Sequence, residues 1–157
     1  MLTKEEIMEV FSERGCKVED KAKDENWFFY TRDGVHYEVQ IDIDKENPDN
    51  KIFVILCPCM GKVDEKHGYL LERAVNMMKK SLKDGGVDQY QLDYHPEDCT
   101  ADSCMGIYYQ DYSKQDLDRS IVSAFELDDY VNEVISKSIQ YWLSEEDNAG
   151  ENKETVN

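Results

Sequence analysis

Cysteine, histidine and carboxylate side chains are where this chain could do chemistry, and their spacing sets out the options. The five cysteines stand at Cys16, Cys57, Cys59, Cys99 and Cys104. Four of them form two close pairs, Cys57-Pro58-Cys59 and Cys99 with Cys104. Four thiolates satisfy a tetrahedral zinc ion, whose ligands usually come as pairs held on one turn. Here the pairs are Cys-x-Cys and Cys-x4-Cys, and neither has the common two-residue spacing. A free thiol also serves as a small buried hydrophobe, and Cys57 and Cys59 would share a strand face with Phe53 and Ile55. Cys99 and Cys104 read as exposed loop thiols able to pair under oxidation.

The carboxylates give a second option. Asp42, Asp44 and Glu46 alternate like the first ligands of a calcium loop, but the sixth position is Asn47 and the twelfth is Phe53, where that loop needs Gly and Glu. The stretch reads as the solvated end of a strand. The histidines, His36, His67 and His95, stand in no nucleophile or metal motif. Acids surround Cys99 at Glu97, Asp98 and Asp102, and these oppose the thiolate that Cys–His catalysis requires. The eight glycines are dispersed and form no phosphate loop. No catalytic, cofactor-binding or metal residue is therefore assigned, and the chain is expected not to be an enzyme.

The elements that must position these residues are better marked. Thr3 and Glu6 have the spacing of a capping box. Ile7, Val10 and Phe11 follow as an apolar stripe, and Gly15 stops the helix. Trp27–Tyr30 is a short strand, and Asp33-Gly34 is a hairpin turn. Val35, Tyr37, Val39, Ile41 and Ile43 alternate with polar residues, so that strand has one wet face. Asn47-Pro48-Asp49 is a turn cluster. Ile52–Leu56 is continuously apolar and reads as a strand buried on both faces, and Pro58 should end its regular pairing or place it at an edge. A helix from about His67 to Lys83 carries Leu70, Leu71, Ala74, Met77, Met78 and Leu82, and Gly85-Gly86 ends it. Tyr90–Tyr94 is a strand, Pro96–Ser103 a polar loop, and Ile107–Tyr112 another strand. Ser113 and Asp116 open the last helix, which is either continuous or restarted at Asp128 and Asp129. The expected order is α-β-β-β-α-β-β-α. That is an α+β domain over 1–143, an antiparallel sheet with helices packed mainly on one face. Residues 144–157 read as a disordered acidic tail.

Composition limits the partners. The formal net charge is −17. A field of that sign opposes nucleic acid and anionic membrane. The acids are not confined to the tail, so the folded surface itself is acidic, and a basic or amphipathic polypeptide is the expected partner. Met1–Val10 is a charged amphipathic segment rather than a secretory signal. With an odd cysteine count, this predicts reduced thiols in the cytoplasm. Met60, Met77 and Met78, and Tyr130, Tyr141 and Trp142 on the last helix, supply apolar surface beyond the need of one small sheet.

Order, size and acidity together resemble the type III secretion chaperone-like fold, which also occurs in bacterial proteins described as sensory transduction regulators. The resemblance covers about Leu2 to Leu143 and rests on topology, so no functional residue carries over. It implies a non-enzymatic homodimer that binds other polypeptides along exposed apolar patches. The expected function is thus a cytosolic, chaperone-like or regulatory interaction module. The alternative is a zinc-binding or thiol-redox-responsive protein using Cys57, Cys59, Cys99 and Cys104.

Overall fold

The computed structural model describes residues 2–43, 45–46, 51–109 and 113–155. Helix α1 (Lys4–Glu13) begins where the capping box places it. The Glu6 amide donates to Thr3 Oγ1 at 3.2 Å, and the Thr3 amide donates to Glu6 Oε2 at 2.8 Å. Strands β1 (Lys17–Glu19), β2 (Trp27–Arg32), β3 (Val35–Ile43) and β4 (Lys51–Lys62) follow, then α2 (Gly68–Asp84), β5 (Tyr90–His95), β6 (Thr100–Tyr109) and α3 (Lys114–Thr155). The six strands form one sheet in the order β1-β2-β3-β4-β6-β5, with every pair antiparallel. The class is α+β, and the expected element order holds with one short edge strand, β1, added. The β2–β3 turn puts Asp33 and Gly34 at φ 51° and 78°. That is the positive-φ pair that a tight two-residue hairpin requires.

Burial alternates along the strands. Phe28 and Tyr30, Tyr37, Val39 and Ile41, Phe53, Ile55 and Cys57, Tyr90 and Leu92, and Ala101, Ser103, Met105 and Ile107 all point into one core. Ile7, Val10 and Phe11 of α1, Leu71, Ala74, Val75 and Met78 of α2, and Leu117, Ile121, Phe125, Val131 and Ile135 of α3 are buried in the same core. One face of the sheet is therefore covered by helices, as expected.

Three expectations change along the strands. Strand β1 was not anticipated, because Val18 is the only apolar residue in it and pairing with β2 defines it. Strand β6 starts at Thr100, inside the stretch expected to be a loop; its first core-facing residues, Ala101 and Ser103, carry no hydrophobic signal. The Asn47-Pro48-Asp49 cluster and residues 110–112 lie outside the described residues. Strand β4 is not buried on both faces: Phe53 and Ile55 are buried, whereas Ile52 is 36 % exposed and Val54 and Leu56 are half-buried. Pro58 does mark an irregularity. Pairing with β6 shifts register between Cys57 and Gly61, and pairing with β3 ends at Leu56.

Helix α3 is continuous and 42 residues long. Asp128 and Asp129 do not restart it. Asp128 is 4 % exposed, and its carboxylate accepts hydrogen bonds from the Tyr37 and Tyr90 hydroxyls, both at 2.6 Å. Asp129, its neighbour, faces outward and holds Arg32 through two contacts of 2.7 and 2.8 Å. The stretch expected as a tail also differs: the helix continues through 144–155. Its backbone extends one already formed and needs no new nucleus, and Tyr69 on α2 donates to Glu146. Ser113 caps the start, accepting from the Asp116 amide at 3.1 Å.

Replacing Asp128 with Ala strands two buried hydroxyls without an acceptor. A loss of about 3–5 kcal/mol is expected, the scale for removing one partner of a buried charged cluster. Urea unfolding checks it. Asp129→Ala, which breaks a half-exposed pair, should cost about 1 kcal/mol or less.

Candidate interaction face

The cysteines do not come together. Cys57 sits in the core beside Phe53 and Ile55, and burial pushes its thiol up to about 12, with the charge of Asp128 adding to the effect. The register shift turns Cys59 outward, away from the face it was expected to share with Cys57. Cys99 is buried at a positive-φ turn position against Gly68 and so is no exposed loop thiol. Cys104 lies within β6 on the opposite sheet face from Cys57, since Leu56 pairs with Cys104 and Cys57 with Ser103. From Thr100 to Cys104 the chain runs about 13 Å as extended strand, which carries Cys104 away from Cys99, far beyond disulfide reach. Among the described residues, no group of three or more Cys, His, Asp or Glu side chains is arranged to hold a metal ion.

The histidines also stand apart. His36 shares a 3.0 Å hydrogen bond with Thr31 across the β2–β3 hairpin, and His67 ends the turn before α2, 3.9 Å from Asp64. His95 Nε2 lies 2.6 Å from Asp102 Oδ2, and Nδ1 lies 3.5 Å from Glu97. The hydrogen bond with Asp102 raises the pKa of His95. Tyr37, Asp128 and Tyr90, with Cys57 and Ser103 beneath, form the most densely polar group in the interior. Burial drives both tyrosines well above their usual range. This group is closed to solvent and its hydrogen bonds are made within the protein, so it acts as a clamp on α3.

Of the methionines, Met78 is core, Met60 packs at its margin and Met77 is 40 % exposed. On α3, Trp142 is held under Arg73, whose guanidinium carbon lies 4.1 Å from the ring centroid, while Tyr130 and Tyr141 are exposed. A groove of about 280 Å³ beside Met60, Leu71 and Ile135 separates β4 from α2 and α3.

The surface that burial leaves unexplained is the other face of the sheet. Its central column is Ile52, Val54 and Leu56 on β4. On β3, these residues stand opposite Asp42, Gln40 and Glu38; on β6, opposite Tyr108, Gly106 and Cys104. Trp27 and Phe29, in edge contact at 5.1 Å, lie on the same face two strands away. Asp93 and Gln91 on β5 are exposed at the far side. Apolar side chains on a solvated sheet face lose water contact only if something covers them. Glu38 and Asp42 border the column on β3, and Asp93 on β5 stands opposite Asp102, one row past Leu56 and Cys104; none of the three is in an ion pair among the described residues. The continuously apolar run was the signal of this face. In the sequence it reads as internal burial, because nothing local says which faces the chain covers.

Two measurements follow. Native alkylation should label Cys59 first and Cys104 more slowly, with Cys16, Cys57 and Cys99 protected until unfolding; mild oxidant should form no Cys99–Cys104 bond. His95 should titrate above its usual value by NMR and return towards it in Asp102→Asn. Because the folded value is the raised one, the stabilisation from this pair is full below the unfolded pKa and disappears as pH rises through the folded one.

No helix among the described residues is long and apolar enough to cross a membrane. No family model matches the chain, no curated protein matches it, and no solved structure matches it.

Proposed function

We propose that this protein is a non-enzymatic interaction module, chaperone-like or regulatory, that binds a polypeptide across the open face of its sheet. One observation carries the reading. The central strand β4 presents Ile52, Val54 and Leu56 to solvent, and among the described residues the helical layer lies on the opposite face only. A sheet strand that is apolar on both faces is suited to two covers, and the described residues supply one. The scattered thiols and histidines support an interaction role over zinc, redox or acid–base chemistry.

The proposal places the protein in the cytoplasm, in keeping with five free thiols. The element order supports the resemblance to the type III secretion chaperone-like fold, and homodimerisation is part of the same reading. The contact between copies would lie on the helical side, where Tyr69, Met77 and Tyr130 are exposed.

A photo-crosslinking amino acid at position 54 tests the reading in cells. The expected result is a discrete adduct with a polypeptide, absent when the same group is placed at position 79 on α2. Equal labelling at the two positions, or none at 54, would sink it.

A further inference from the structure

We propose that the open face seats a cationic amphipathic helix of another polypeptide. Its apolar stripe lies over the gap between β4 and β6, and its flanking Lys or Arg side chains reach carboxylates on β3 and β5. This deepens the interaction reading above and rests on it.

Gly106 gives this face its shape. It stands opposite Val54, with Cys104 and Tyr108 two residues away on the same strand and face. A Cβ built on Gly106 meets no atom within 4 Å, and its φ lies outside the left-handed region. The glycine is therefore required neither by the backbone nor by a close neighbour among the described residues. What it does is leave a hollow, one side chain wide, in the row formed by Val54, Cys104 and Tyr108. A strand interior without a side chain is a weakness unless another group approaches there. A bulky apolar side chain of a partner fits that description.

The strands on either side set the width of the face. The order β3-β4-β6-β5 puts three inter-strand gaps between β3 and β5. At about 4.8 Å each, they span about 14 Å. A helix with its side chains is about 10–12 Å across. Laid over β4 and β6, it covers the apolar column and the hollow; one flank falls above β3, and the other meets β5 past the hollow, where β5 pairs with Met105–Thr100.

Charge selects the sign of the partner. Glu38 and Asp42 line the β3 flank, and Asp93 lies on β5 four residues of strand beyond Gly106, within the length of an about 18-residue helix; all three are outside any ion pair among the described residues. Lys17 and Lys21, at the β1 edge of this face, each lie 3.6 Å from Glu19. A second copy docking face to face would set these carboxylates against their own duplicates, which costs affinity. Lysine or arginine flanks turn the same groups into complementary contacts.

The test uses the full-length protein, labelled with 15N, and an about 18-residue Leu/Lys peptide with leucines at helical spacing. A counterpart carries Glu in place of Lys. The Lys peptide should shift the amides of Val54, Leu56 and Gly106, bind at least about tenfold more tightly than the Glu peptide, and weaken as salt is added. Gly106→Val fills the hollow with a residue suited to strands. It should keep the circular dichroism and melting of the parent while losing about tenfold in affinity. Should that variant fail to fold, Val54→Lys replaces it with the same expected loss. Equal binding to parent and variant, or shifts mapped elsewhere, would mean attraction by net charge alone and overturn the inference. Crosslinking of position 54 to a second copy would also overturn it while leaving the interaction reading intact; absence of any position-54 adduct would instead remove the interaction reading itself.

Discussion

The carboxylate of Asp128 fixes how the two layers of this protein meet. It takes hydrogen bonds from Tyr37 on β3 and Tyr90 on β5, strands on opposite sides of the β4–β6 pair. Both rings must reach over Cys57 and Ser103 to meet at one side chain. The contact therefore sets the position of α3 along the sheet and the angle at which it crosses. A buried acid with two donors tolerates little sliding, whereas apolar packing alone allows neighbouring registers at small cost. Arg32 reinforces the placement by gripping Asp129 while its guanidinium lies 4.3 Å from the Phe125 ring centroid.

One-sidedness follows from that clamp. All three helices contribute to the same core, and Tyr37, Tyr90, Cys57 and the buried apolar residues of β2 to β6 turn towards it. The remaining sheet face carries stripes: the aromatic pair on β2, a polar row on β3, the aliphatic column on β4 and a row interrupted by Gly106 on β6. A merely solvated face would carry polar residues on every strand. The aliphatic column is the departure from that pattern. Its acidic borders keep it compatible with a protein of strongly negative charge, and they give the face a preferred sign of partner.

The features legible in the sequence were those decided by neighbours a few residues apart. Thr3 with Glu6 and Ser113 with Asp116 capped the helices as their spacing indicated. Asp33-Gly34 made its turn, Gly85-Gly86 closed α2, and the alternation along Val35–Ile43 identified the inward face. The features that escaped were decided by distant partners. Lys17–Glu19 is a strand because β2 lies beside it. Thr100–Ser103 joins β6 because β5 and β4 pair with it on both sides. The cysteine spacing suggested proximity, yet the bulge after Cys57 and the alternation of β6 sent the thiols to different faces.

The sequence by itself determined the class, the element order and an acidic surface, because capping, turn chemistry and periodicity act within a few residues of chain. Tertiary structure alone decided that Asp128 points inward while Asp129 points out. It also decided that β4 is covered on one face and that Gly106 falls beside Val54 in the uncovered one. Those outcomes depend on which strands lie next to each other and how many layers the chain can build. Hydrophobicity records that a residue favours burial; it carries no information about whether the covering atoms come from the same chain.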